Sequence, residues 1–355
     1  MKMVILGLSI TSSWGNGHAT TYRSLVHGLA DRGHDILFLE RDQPWYAENR
    51  DLPNPPFGRT ALYGGLDELR ARFADPVRDA DLLIVGSYVP EGIAVAEWAL
   101  AMARGVTAFY DIDTPITFEA LGRGQCMYLD AALVPRFNLY LSFSGGPILA
   151  ELARRYQARL AVPLYCSVDL ESYQPQPGDC LHILGYMGTY SPDRQSALDR
   201  LLLDPARQLP MARFVVAGPQ FPETITWPAN VERITHVAPG EHRAFYASQR
   251  FTLNITRAAM AAAGYSPSVR LFEAAALGVP VISDEWPGLD SFFVPGEEIL
   301  AASTSEEVLV HLLELGDERA AAIGGRARAR VLAEHTGTHR AIALEGYVAA
   351  ARGFT

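Results

Sequence analysis

Lysine is all but missing from this 355-residue chain, with Lys2 the only one. Cationic contacts to any phosphate must therefore come from arginine, helix N-termini or backbone amides, and a mechanism needing a catalytic lysine away from the terminus is excluded. Cysteine is nearly as scarce. Cys126, Cys166 and Cys180 are an odd number without close pairing, which argues against a disulfide framework or a zinc knuckle and fits a reducing, cytoplasmic setting. No apolar run reaches the roughly 18 residues that span a bilayer, and the N-terminus lacks a basic region followed by an apolar stretch. No transmembrane segment or leader is expected, although peripheral membrane contact stays open. Long basic blocks are absent too, and the net charge of −10 disfavours nucleic acid as a partner.

What is present reads as a folded chain throughout, with 49% hydrophobic and 20% charged residues. The length exceeds what one core usually fills, so two domains are expected. Near-continuous apolar runs at residues 3–8, 36–39, 82–85, 106–110 and 139–143 alternate with helical spacing at 20–32 and 92–104. This is the βαβ pattern of a doubly wound parallel sheet. A polar stretch carrying Pro175 and Pro177 then breaks the pattern. A second alternation follows, with strands at 181–186, 213–217, 231–236, 251–255 and 279–283 and a short one near Ile299. From Thr304, whose capping box with Glu307 starts a helix, the chain reads as helix to the end, broken near Gly316, Gly324 and Gly337. The fold class is α/β, with two Rossmann-like domains facing across a cleft. Residues 1–168 make the first, 169–179 the linker and 180–335 the second; a helix at 336–355 is expected to return to the first.

Three stretches carry chemistry. After the first strand come Trp14, Gly15, Gly17 and then His18 at a helix start; the glycines let backbone approach a ligand at the carboxyl edge of the sheet. The spacing is not that of a dinucleotide fingerprint. In the second domain Gly188, Thr189 and Tyr190 form another glycine turn, and Arg194 on the following helix is within reach of a phosphate. The third stretch runs from Asn254 through Arg257 and Tyr265 to Pro280. There Ser266 serves as N-cap and Pro267 as first helical residue, so free amides around Ser266 and Ser268 bind an anion. Arg270 and Glu273 fall on one face, one for phosphate and one for two ribose hydroxyls.

Glu273 through Pro280 (EAAALGVP) resembles the EAxAxGxP segment of GT-B glycosyltransferases of the family 4 type, whose glutamate binds the donor ribose. Val162 through Asp169 is similar to their interdomain VIPNGVD, and Gly188 through Arg194 to their GRLxPEKG. Tyr110 through Pro115, Leu253 through Arg257, Ser266 through Glu273 and His335-Thr336 resemble the branch related to the spore maturation protein CgeB. The chain departs from the family 4 pattern where Tyr265 replaces a sugar-contacting glutamate and Thr189 the arginine of GRL; Arg257 or Arg270 then supplies diphosphate charge.

The resemblance implies a glycosyltransferase using a nucleotide-diphosphate sugar, with a UDP-sugar favoured, and retention of configuration. The second domain is the nucleotide-sugar side, with the base near His236 and Val237. The first is the acceptor side, with His18 and Asp113 as catalytic candidates and Trp14, Gly15, Gly17, Trp45 and Tyr46 as acceptor contacts. The acceptor class, whether glycan, lipid, protein or small molecule, stays open. Asp111-Ile112-Asp113 is formally a DxD metal triplet, but its place in the first domain, remote from the donor helix, argues against metal; no cofactor and no divalent metal are expected. A nucleotide-sugar 2-epimerase of the same fold and a non-catalytic sugar-nucleotide or glycan binding module are the alternatives.

Overall fold

A computed structural model describes residues 1–15 and 17–353. The chain divides into two compact units, Met1–Asp169 with Thr336 onward, and Leu170–His335.

The first unit holds a seven-stranded, all-parallel sheet. Its strands are β1 (Lys2–Gly7), β2 (Asp35–Arg41), β3 (Arg59–Tyr63), β4 (Leu82–Gly86), β5 (Val106–Asp111), β6 (Leu139–Ser142) and β7 (Ala161–Pro163). The order is β3-β2-β1-β4-β5-β6-β7. Helices α1 (His18–Asp31), α2 (Pro44–Ala47), α3 (Leu66–Arg78), α4 (Gly92–Met102), α5 (Thr114–Gly122) and α6 (Pro147–Tyr156) make the crossovers. Alternation along the strands splits the core between the two faces. Leu6, Leu39, Val85 and Phe109 pack with Leu69 of α3 and Val95 and Ala99 of α4. Ile5, Phe38, Ile84 and Ala108 pack with Tyr22, Leu25 and Leu29 of α1. Each fully buried Leu, Ile, Val or Phe side chain among them contributes about 1.5–3 kcal/mol.

The second unit holds a six-stranded parallel sheet, ordered β10-β9-β8-β11-β12-β13. These strands are β8 (His182–Met187), β9 (Phe214–Ala217), β10 (Val231–Ile234), β11 (Gln249–Asn254), β12 (Val281–Ser283) and β13 (Leu300–Ala301). Its helices are α7 (Pro192–Leu198), α8 (Asp204–Gln208), α9 (His242–Ala247), α10 (Ala258–Ala263), α11 (Val269–Ala276), α12 (Ser305–Glu314) and α13 (Asp317–Glu334). Thr304 and Glu307 close the expected capping box at α12. The last helix, α14 (Gly337–Arg352), belongs to the first unit, where Ala341, Leu344 and Val348 complete the core on the α1 face.

Three expectations are corrected. Helix α11 starts later than its Ser-Pro signal implies: the N-cap is Ser268, and Ser266 instead donates its hydroxyl to Gly264 O at 2.9 Å. Gly324 does not break a helix but lies inside α13, where a β-carbon would sit 2.0 Å from Gly278 O; it marks a close approach. Edge strands β3 and β7 have no counterpart in the apolar runs, because both are short and mostly half-buried.

Candidate functional site

In the second unit β8 and β11 are neighbours whose connections leave in opposite directions, which opens a crevice at their carboxyl ends. Arg270, in the first turn of α11, lies across it. Its guanidinium donates to Met187 O at the end of β8 and to Asn254 Oδ1 at the end of β11, the latter at 2.9 Å, and rests 4.9 Å from the Tyr186 ring centroid. A β-carbon on Gly188 would stand 2.7 Å from both Arg270 Nη2 and Tyr186 Oη, so a larger residue there would displace these two side chains. Ser268 points its hydroxyl at the same Asn254 oxygen, 2.7 Å away, rather than capping its own helix.

Asn254 is the centre of a larger network absent from the sequence-derived candidates. Its Nδ2 donates to Ser283 Oγ at 3.0 Å and Thr256 Oγ1 at 3.3 Å, and Asp284 accepts from Thr256 N and Oγ1, each at 2.9 Å. Burial raises the Asp284 carboxyl above its ordinary value, against the Thr256 and Ser283 hydrogen bonds and the Arg270 cation. Polar residues at consecutive strand ends were the available signal for this network.

Arg194 donates from Nη2 to Thr189 O at 2.7 Å. Burial lowers its guanidinium's proton affinity first of all, and the Arg270 and Arg257 cations add to this against Tyr186 and Asp193. Three arginines thus share one field, with the Asp193 carboxylate 4.0 Å from Arg257. Tyr190 lies 5.4 Å from the Phe221 ring, while His236 and Val237 follow the end of β10. Tyr265 is left-handed, with φ 49°, and is locked by its N–H on Pro287 O at 2.7 Å. Glu273 is 3% exposed and accepts from Tyr173 Oη at 2.7 Å and Tyr246 Oη at 3.2 Å. It does not pair with Arg270. The arrangement can hold an anion beside arginine and a diol on a carboxylate.

In the first unit the corresponding crevice lies between β1 and β4. Its β1 loop is fixed from below: buried Glu40 accepts from Ile10 N at 2.7 Å, Thr11 N at 3.0 Å and Thr11 Oγ1 at 2.6 Å. Gly15 adopts φ 65° and Gly17 occupies the N-cap position of α1. His18 opens α1, and its ring lies 5.3 Å from that of Tyr88, which follows β4. Tyr88 in turn donates its hydroxyl to Asp113 Oδ2 at 2.9 Å. The two catalytic candidates are thereby brought to either side of one tyrosine, and Tyr88 is held at φ 62° to do so. Sequence reasoning missed Tyr88, since a left-handed non-glycine residue has no signature of its own.

Asp111 is a different kind of group, fully buried and accepting from Tyr140 Oη at 2.5 Å and Thr117 Oγ1 at 2.7 Å. Its oxygens face the core. Among the described residues no group of three or more His, Cys, Asp or Glu side chains is placed to hold a metal ion. Trp14 and Trp45 are exposed, whereas Tyr46 is buried, so its ring is a packing element. No helix among the described residues is long and apolar enough to cross a membrane.

A family model described as glycosyl transferase-like matches residues 194–346. No curated protein matches the chain. Among solved structures, sucrose-phosphate synthase (tll1590) from Thermosynechococcus elongatus is 14% identical with a TM-score of 0.71, covering 99% of each chain. Anabaena Alr3699/HepE, in complex with UDP and glucose, is 14% identical with a TM-score of 0.72, over 99% of this chain and 100% of the other. The catalytic domain of starch synthase IV from Arabidopsis thaliana, bound to ADP and acarbose, is 11% identical with a TM-score of 0.63, over 98% of each. Two doubly wound parallel sheets and these likenesses show the GT-B fold, and within it residues 194–346 resemble the glycosyl transferase-like family.

Proposed function

We propose that the chain transfers a sugar from a nucleotide-diphosphate sugar, a UDP-sugar before others, to an acceptor hydroxyl without a divalent metal and with retention of configuration. The observation that carries this reading is Arg270 across the β8–β11 crevice, with Arg194 and Arg257 in the same field. Negative charge grows on the leaving diphosphate in the transition state, so guanidinium groups already fixed there stabilise it without reorganisation. Arg194, Arg257 and Arg270 take the diphosphate, with the α11 amides beside Ser266 and Ser268. Glu273 takes the ribose, His236 and Val237 border the base, and Gly188, Thr189, Tyr190 and Tyr265 line the donor.

The first unit takes the acceptor, with Trp14, Trp45 and the Gly15–Gly17 turn as contacts and His18 and Asp113 at the reacting hydroxyl. HepE in complex with UDP and with UDP-glucose supports the choice of donor, as does the like fold. The several matching segments support membership in the CgeB-related branch, and a cytoplasmic setting agrees with the sparse, free cysteines. Calorimetric titration with UDP, in buffer with and without a chelator, tests the proposal. Micromolar binding unaffected by the chelator is the expected result, and Glu273→Ala should abolish most of it. Binding that requires the metal, or a Glu273→Ala affinity equal to that of the parent, overturns it.

A further inference from the structure

Glu273 is a carboxylate 3% exposed with no cation bonded to it among the described residues, and both of its oxygens are held by phenols: Tyr173 Oη at 2.7 Å and Tyr246 Oη at 3.2 Å. Each carboxylate oxygen accepts about two hydrogen bonds. One position on each is therefore taken, and one on each is left, side by side. Tyr173 has a second neighbour, His242 Nδ1 at 2.7 Å, while His242 Nε2 lies 3.3 Å from Val237 O. The hydroxyl has a single proton. If it goes to Glu273, the short contact requires Nδ1–H on His242, donating to Tyr173; the longer contact to Val237 is the one that yields. The three side chains then donate in one direction, from His242 to Tyr173 to Glu273.

We infer that Tyr173 is a positioning residue that, oriented by His242, fixes the Glu273 carboxylate as a two-point acceptor for a vicinal diol and so sets discrimination between ribonucleotides and their deoxy counterparts. This rests on the reading of Glu273 as the ribose contact. Tyr173 lies in the irregular segment before β8 and Tyr246 on α9, so the carboxylate is clamped from two elements other than its own helix. Without Tyr173 one oxygen would lose its partner, and the side chain would be free to rotate away from the geometry that meets two hydroxyls at once.

The test is a calorimetric comparison of UDP with 2′,3′-dideoxy-UDP on the parent chain, Tyr173→Phe and Glu273→Gln. The parent should prefer UDP by about tenfold or more, the worth of hydrogen bonds to a charged acceptor. Tyr173→Phe should lose most of that preference while binding the dideoxy analogue as the parent does. An unchanged ratio, or parallel weakening toward both nucleotides, overturns the inference, since a merely structural role moves both alike. Glu273→Gln separates the two levels of the argument: a parent-like ratio there rejects the ribose reading itself. Should Tyr173→Phe fail to fold, Tyr246→Phe carries the same test on the other oxygen. Absence of UDP binding by the parent rejects the site and this inference with it.

Discussion

Arg270 and Asn254, which lie 16 positions apart, meet at 2.9 Å and join the start of α11 to the end of β11. Asn254 Oδ1 serves Ser268 as well, so one amide oxygen fixes both Arg270 and the cap of its helix.

Asn254→Ala removes the shared acceptor and leaves the Arg270 guanidinium with one partner fewer in a buried setting. A loss of about 1–3 kcal/mol is expected. For a unit of this size each kcal/mol lowers the melting temperature by about 2–4 °C, which differential scanning calorimetry reads directly. UDP affinity should fall with it, because Arg270 is no longer aimed.

Asp113 belongs to the first unit, whereas the donor candidates belong to the second. Asp113→Asn should therefore leave UDP affinity untouched in calorimetry. Release of UDP from a bound UDP-sugar should slow by about tenfold, the cost of weakening a charge-assisted hydrogen bond to the acceptor. A drop of about 10²–10⁴ would instead identify a general base and point to inversion.

Burial, against hydrogen bonds from Tyr140 and Thr117, raises the Asp111 carboxyl from 3.8 to about 6. The folded chain thus holds a proton that the unfolded chain releases over that interval. The resulting stabilisation is fully present below the lower value and fades as pH rises through about 6. Asp111→Asn cannot titrate, so its melting temperature should rise relative to the parent's between pH 4 and pH 7; equal slopes would reject the assignment.

Gly28 and Gly346 give opposite expectations for one substitution. A β-carbon on Gly28 of α1 would lie 2.4 Å from the carbonyl carbon of Gly337, so Gly28→Ala forces α1 from α14 and should cost about 1–3 kcal/mol. Gly346, inside α14, has nothing within 4 Å of that position, and Gly346→Ala should stabilise by about 1 kcal/mol. Urea denaturation of the two variants checks the pair.

The two wound sheets were legible because buried parallel strands such as Leu82–Gly86 and Phe214–Ala217 are apolar at nearly every position. Arg59–Tyr63 was not, since an edge strand covered on one face needs no apolar run. At the donor side, residue type and helix spacing were enough to single out Arg270 and Glu273 as candidates. They could not show that Ser268 turns to Asn254, that Tyr173 reaches a glutamate 100 positions away, or that Tyr88 adopts a left-handed backbone. Those are products of tertiary contact, which local propensity does not encode.

Helix α14 has a consequence for biosynthesis. The first unit's sheet is assembled from Met1–Asp169, yet Ala341, Leu344 and Val348 are translated only after the whole second unit. At about 5–20 residues per second, the intervening stretch keeps the ribosome occupied for roughly 10–30 seconds. Over that interval the nascent first unit shows an oily flank to the cell, while the second is still being made. Chaperone dependence and sensitivity to stalled translation should therefore concentrate in the half of the protein made first.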